Sequence, residues 1–336
     1  MTFMKNLSTA KISVLDLAKV ADGKTLADTY SHSKQLAQHV EKLGYTRFWL
    51  AEHHNIEGIA SAATSILIGY IAEHTKTIRV GSGGIMLPNH SPLIIAEQFG
   101  TLESLYPGRI DLGLGRAPGT DQQTMRALRG RNAGHEDDFG DLIEELNFLF
   151  APAEPGQKIK AVPGAGIKVP KYILGSSLYS AQLAARMGLP YAFAGHFAPA
   201  MMMQAFDIYR SMFQPSQDHK EPYVMMGVPV VAADTDEKAK YLATSIQQAF
   251  LGIIKGNRKL NSPPVDDIDK IWNPMEREHV QSMLGMLVTG SPRTVREKLD
   301  KFIEATGADE LIITSDTYLP EDRMRSYELI AEARRL

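Results

Sequence analysis

The sequence predicts an α/β chain closed as a (β/α)8 TIM barrel with insertions. Eight short β-branched or aromatic runs alternate with helical patterns along 336 residues. Such alternation builds a parallel sheet covered by helices, and eight units close into a barrel. An open doubly wound sheet shows the same alternation; the count of eight favours the barrel. A barrel takes about 250 residues, so the surplus is expected in insertions. One domain over 1–336 is expected, with insertions near 131–169, rich in Gly and Pro after Ala151, and 255–274, which holds Pro263-Pro264.

The predicted strands are Lys11–Leu17, Thr46–Leu50, Thr77–Val80, Arg109–Leu114, Lys171–Leu174, Tyr191–Ala194, Tyr223–Ala232 and Glu310–Thr314. After the first, Asp28–Leu43 sets Leu36, Val40 and Leu43 at helical spacing and stops at Gly44, a good helix end. Ser61 is placed to cap the next helix, and the uncharged stretch Gly58–Ala72 reads as a buried one. Ser91-Pro92 and Ser291-Pro292 each set a capping residue before a proline at the first helical position. Asp234 with Glu237 makes a capping-box pattern.

Lysine plus arginine is 36 and aspartate plus glutamate is 39, a net charge of −3, which argues against a nucleic-acid surface. The absence of cysteine removes disulfides, thiolate nucleophiles and thiolate metal sites, and it fits a reducing compartment. The opening MTFMKNLSTAKISV lacks a long apolar core, and Gly58–Ala72 is too short to span a membrane, so the cytoplasm is the expected location.

In a barrel, chemistry collects where strands run into the following loops. Those junctions carry Glu52-His53-His54, Gly81-Ser82-Gly83-Gly84, Gly113-Leu114-Gly115-Arg116, Gly175-Ser176-Ser177 with Ser180, and Gly195-His196. Adjacent residues on a strand face opposite ways, so at most one of His53 and His54 faces the barrel axis unless the strand bends there. Histidine suits proton transfer near neutral pH; the alternative is a packed histidine beside a surface one. No HxH or HExxH pair is present, and no metal is expected. The Gly81–Gly84 run admits close approach of a flat ligand, or is an ordinary turn. Gly113-Leu114-Gly115 is not the GxGxxG of a dinucleotide site. Arg116 suits an anion, its guanidinium fork matching phosphate, or a salt bridge at the rim. Ser176 and Ser177 open a helix whose amides and hydroxyls suit phosphate, or merely cap it; Ser180 lies on the first turn.

The strings FWLAEHHN, VGSGGIMLPNHSPLIIAEQFGTLESLYPGRIDLGLGRAPGTD and ILGSSLYSAQLAARMGLPYAFAGHF resemble the bacterial-luciferase-like flavin-dependent monooxygenases, in particular single-chain members of unknown substrate. The resemblance runs over nearly the whole chain. It implies FMN, used reduced and supplied by a separate reductase, with O2 oxidising a small organic substrate. It places His53 at the active-site histidine, Gly83-Gly84 at a cis peptide under the flavin ring, and Arg116, Ser177 and Ser180 at the flavin phosphate. Ser176 replaces an acidic residue of the luciferase large chain. Gly115 stands where that chain has a reactive cysteine, which argues against light emission. Two alternatives stay open: an F420-dependent dehydrogenase on the same barrel, and a flavin-binding protein without turnover. A homodimer is expected through the helices Ser61–Ala72, apolar on more than one face, and Ser91–Leu105, with Ile94, Ile95 and Phe99 at the contact.

Overall fold

Nine parallel strands are found among the described residues, which in this computed structural model are 5–130, 139–195, 201–257 and 260–336. They are β1 (Lys11–Asp16), β2 (Arg47–Leu50), β3 (Arg79–Met86), β4 (Ile110–Gly115), β5 (Lys171–Gly175), β6 (Tyr191–Phe193), β7 (Val224–Ala232), β8 (Val288–Gly290) and β9 (Glu310–Thr314). β1 to β7 pair in sequence; β7 then pairs with β9 and β9 with β1, closing an eight-stranded parallel barrel. The ninth strand, β8, pairs with β7 alone and stands outside the ring. Its Val288-Thr289-Gly290 holds one large apolar side chain, and no strand was expected there. No helix among the described residues is long and apolar enough to cross a membrane.

Period-two alternation sorts each strand between two cores. Ile12 and Val14, Phe48 and Leu50, Val224 and Met226, and Leu311 and Ile313 point out to the helices. Leu15, Trp49, Tyr172, Met225 and Ile312 point in and pack together inside the barrel. Burial on both faces explains why the strands read as continuous apolar runs.

The glycines of β3 behave differently from the sequence expectation. Gly81-Ser82-Gly83-Gly84 was expected to follow a strand; the strand instead runs through it to Met86. The missing side chains let β3 and β4 approach closely. A Cβ on Gly81 would lie 2.3 Å from the Asp111 carbonyl, and one on Gly84 would lie 2.7 Å from the Gly113 carbonyl. The register slips by a bulge between Ser82 and Ile85, and the Gly83-Gly84 peptide is cis.

Helix ends follow the sequence signals in part. The first helix, Leu26–Lys42, is capped by Thr25 in a capping box with Asp28, and Gly44 follows it at φ 80°. Ser91 and Ser291 stand at helix starts before their prolines, but neither hydroxyl caps an amide. The helix after β7 is capped by Thr235, not Asp234, which pairs with Arg325 at 2.7 Å. Ser61 caps nothing, because its helix starts at Thr64. Of the residues expected at a subunit contact, Ile95 and Phe99 are fully buried in this chain's own core, whereas Ile94 is 49% exposed.

The segment expected as the first insertion includes the helix Phe139–Phe150, whose Ile143 and Leu146 belong to the main core. Part of that segment is therefore a ring helix. The helix Gln122–Arg129 lies just after β4, ahead of that segment, and it buries no side chain. Within the second, Asn261 clasps the loop after β1, donating its N–H to Val20 and accepting from the Asp22 N–H.

Charge fills the amino end of the barrel. Arg47, 4% exposed, donates to both oxygens of Glu310 at 2.7 and 3.1 Å, to Asp111 at 2.7 Å and to the Tyr172 hydroxyl at 2.8 Å. Burial opposes its charge, and Glu310 and Asp111 outweigh that, raising its pKa. Arg79 and the Trp49 indole N–H also donate to Asp111, at 2.6 and 3.1 Å, while Ser13 and Tyr223 donate to Glu310. Removing one partner of a buried ion pair leaves the other charge desolvated and unpaired. Arg47→Ala should therefore cost about 3–5 kcal/mol, read as a fall in the urea midpoint; a loss below about 1 kcal/mol, the range of exposed pairs, would show the network to be incidental.

Candidate active site

An open cleft of about 1080 Å³ occupies the carboxyl end of the barrel. Its floor is the top of the inner core: Leu15, Trp49, Ala192 and Ile312. Its walls come from the loops after β2, β4 and β5 and from the end of the helix Asp236–Ile254. A mostly apolar cleft with a few convergent polar groups is the ordinary form of a small-molecule site.

His53, Gly83, Arg116, Ser176, Ser177 and Ser180 all line this cleft, so the structure brings the residues of four separate junctions together. Gly84 is not among the lining residues; it backs the strand against β4. His196 lies outside the described residues.

β2 ends at Leu50, so His53 and His54 sit on a loop rather than in a strand, and alternation does not govern them. They nonetheless part. The His53 Nδ1–H donates to the Gly119 carbonyl at 3.1 Å, because a carbonyl only accepts. In the neutral ring that leaves Nε2 as the accepting nitrogen. His54 turns the other way, its Nε2–H donating to Glu52 at 2.8 Å.

Arg116 is exposed at the rim, and its guanidinium stacks on the Tyr179 ring at 4.5 Å from the centroid. Among the described residues no carboxylate pairs with it, so the rim salt bridge allowed by the sequence is not formed there. Tyr179 lies in the first turn of the helix Leu178–Met187, which Ser177 caps by accepting from the Ser180 N–H. The Ser180 hydroxyl donates to the Ser177 carbonyl at 2.8 Å and sits 3.1 Å from the Tyr191 hydroxyl. Its proton is thus used in holding the turn, and reaching a ligand would need it to rotate.

Two participants escape sequence reasoning. One is Tyr179, whose first-turn position beside the serines was its only signal. The other is Glu52, 1% exposed. Its carboxylate accepts from the Met86 N–H at 3.0 Å, from His54, from the His90 Nε2–H at 2.9 Å and from Asn89 at 3.4 Å. Burial pushes its pKa up, but the donors from His54, His90 and Met86 outweigh that and hold it at about 2.

The sequence profile of the luciferase-like monooxygenases matches residues 10–310. The chain is 54% identical over 322 residues to the uncharacterized protein YvbT of Bacillus subtilis, covering 96% of each. It is 50% identical over 326 residues to a luciferase-like monooxygenase of Escherichia coli K12, covering 97% of each. Among solved structures, apo-MsnO8 superposes with a TM-score of 0.87 at 37% identity, over 98% of this chain and 99% of that one. The fold also matches, at 20% identity and a TM-score of 0.72, the oxygenating constituent of 3,6-diketocamphane monooxygenase from Pseudomonas putida, solved with FMN, over 96% of this chain and 97% of that one.

The depressed Glu52 pKa sets a pH dependence of stability. Its contribution is full above the ordinary value of 4.5 and is lost as pH falls through about 2. At about 1.4 kcal/mol per unit, roughly 3 kcal/mol is involved. Urea unfolding at about pH 6 and about pH 3 should show a smaller acid loss in Glu52→Gln than in the wild type; equal losses would mean that the carboxylate is not held as described.

Proposed function

Because the chain belongs to the luciferase-like monooxygenase family, we propose that it is an FMN-dependent monooxygenase acting on a small organic molecule at the carboxyl end of its barrel. The observation that carries this reading is the placement of Arg116, with no carboxylate partner among the described residues, beside a serine-capped helix start at the rim of an apolar cleft that also holds His53.

The cleft fits FMN in size and in chemistry. Arg116, the Ser176 and Ser177 hydroxyls and the first amides of Leu178–Met187 would hold the phosphate, the helix start adding its favourable dipole. The apolar floor of Leu15, Trp49 and Ile312, with Gly83 at its edge, would take the ring system. Bound in reduced form, FMN supplies two electrons to O2, so that one oxygen atom enters the substrate and the other leaves as water. The reduced flavin comes from a separate reductase. The Gly113-Leu114-Gly115 run lies inside β4 rather than at a helix start, and so does not make a nicotinamide site.

This chain's own groups contribute position, proton handling and exclusion of water. His53, with Nδ1–H fixed on Gly119, offers Nε2 to accept or return a proton at the reacting edge. Leu15, Trp49, Ala192 and Ile312 keep the floor dry, which strengthens polar interactions made above it.

Titration with FMN should show binding. Turnover with reduced FMN and O2 over a panel of aldehydes, ketones and sulfur compounds should yield a product heavier by one oxygen atom. A protein that binds F420 and not FMN would instead be a dehydrogenase of the same fold. Arg116→Ala should weaken FMN about tenfold or more and leave riboflavin affinity unchanged; equal effects on both would remove Arg116 from the phosphate. His53→Ala should keep FMN affinity within about threefold and lower product formation about 10²–10⁴-fold. An FMN affinity that collapses in that variant would make His53 a binding residue.

The same reading includes a homodimer. Ile66 and Ile94, 73% and 49% exposed, lie in the first turns of neighbouring helices, and a second copy would cover them. Light scattering should give a dimer mass that Ile66→Glu with Ile94→Glu reduces to a monomer; a monomeric wild type would refute this.

A further inference from the structure

We propose that Glu52 is a positioning residue: its buried carboxylate joins the loop after β2 to the end of β3 and the loop that follows it, which Asn89 ties to the loop after β4, and thereby fixes how His53 meets the cleft. The inference rests on the flavin reading above and extends it to a residue that does not line the cleft.

Each pair of these loops is tied. Between the loop after β2 and the end of β3, Glu52 Oε2 accepts from the Met86 N–H at 3.0 Å, and from the loop after β3 its oxygens accept from the His90 Nε2–H at 2.9 and 3.0 Å. Between those after β2 and β4, the Gly119 carbonyl accepts both His53 Nδ1–H at 3.1 Å and the His54 N–H at 3.3 Å, while the Thr120 hydroxyl donates to the His54 carbonyl at 2.8 Å. Between those after β3 and β4, Asn89 donates to the Pro118 carbonyl at 2.9 Å and accepts from Arg129 at 3.1 Å.

Glu52 stands at the centre of this triangle. Its side chain takes His54, Met86, Asn89 and His90, and its own carbonyl lies where a Cβ on Gly119 would come within 2.7 Å. Gly119 has φ +66°, so that approach suits glycine on both counts. The Gly119 carbonyl, which accepts the His53 Nδ1–H, thus belongs to the same set of ties that closes the three loops around Glu52.

A carboxylate meets this set of donors because both its oxygens accept. An amide has one accepting oxygen, and its NH2 would confront a second donor, so Glu52→Gln must release at least one tie. A loop shift of about 1 Å at a proton-transfer group can cost about 10²-fold in rate.

The experiment is a double-mutant cycle between Glu52→Gln and His53→Ala, read as product formed per FMN oxidised, with FMN affinity and thermal midpoint recorded for each variant. Glu52→Gln alone should lower the yield by up to about 10²-fold with FMN affinity within about threefold. In the His53→Ala background the further loss should be below about threefold, since residues acting as a unit are not additive. The same loss in both backgrounds, or a yield that merely follows thermal midpoint and FMN affinity downward, overturns the proposal. His90→Ala, which removes one donor and keeps the charge, replaces Glu52→Gln in the cycle if that variant does not fold. Amide exchange at His54 and Met86 and the rate of His53 acylation by diethyl pyrocarbonate are read on flavin-free protein. Both should rise several-fold in Glu52→Gln, and unchanged values overturn the tie itself. If the wild type binds no FMN, the proposed function fails and these flavin-free readings alone decide the role of Glu52.

Discussion

A cation enclosed by a ring of strands has to be neutralised where it stands, and Arg47 meets that demand between Glu310 and Asp111. Its partners come from β4 and β9, with Tyr172 from β5, so one guanidinium joins four strands of the ring. Asp111 also accepts from the Trp49 indole, and Trp49 is part of the cleft floor. The chain of dependence runs upward: paired charge at the amino end, a locked tryptophan above it, then Gly83 against that tryptophan. A Cβ on Gly83 would fall 2.7 Å from Leu15 and 3.1 Å from Trp49. The floor is thus positioned by electrostatics one layer below and by close backbone packing beside it.

Above the floor the means of support changes. On the rim the helix Gln122–Arg129 buries no side chain. Hydrogen bonds carry the order there, many of them converging on Glu52 and on the Gly119 carbonyl. Arg116 is held differently, by stacking on Tyr179, which aims the guanidinium while no carboxylate among the described residues engages it.

The barrel was legible because each strand is buried on two faces and so stands out as an apolar run, and because glycine and proline mark the helix ends. β8 was not: its Val288-Thr289-Gly290 holds one large apolar side chain, whereas the equally short β6 is Tyr-Ala-Phe, buried throughout. The Gly81–Gly84 run was placed after a strand, as a close approach to a ligand or a turn, because glycine offers both; here it lies within β3, and its use is the absence of a Cβ between β3 and β4. The residues of the cleft could be placed at strand ends one junction at a time. What they touch could not: Arg47 and Glu310 are 263 positions apart, and Glu52 meets His90 across 38. Charged residues at inward strand positions, such as Arg47 two before Trp49, were a usable signal that alternation would have exposed.

The charged network and the cleft lie at opposite ends of one barrel, and this separates two demands on the chain during evolution. Substitutions in the loops after β2, β4 and β5 alter the cleft without touching the ion pairs below, so new specificities can be sampled at modest cost to folding. Trp49 is the exception. It belongs to both ends, so replacing it to reshape a binding pocket would also strip a donor from Asp111, and it is the position at which drift toward a new substrate should be slowest.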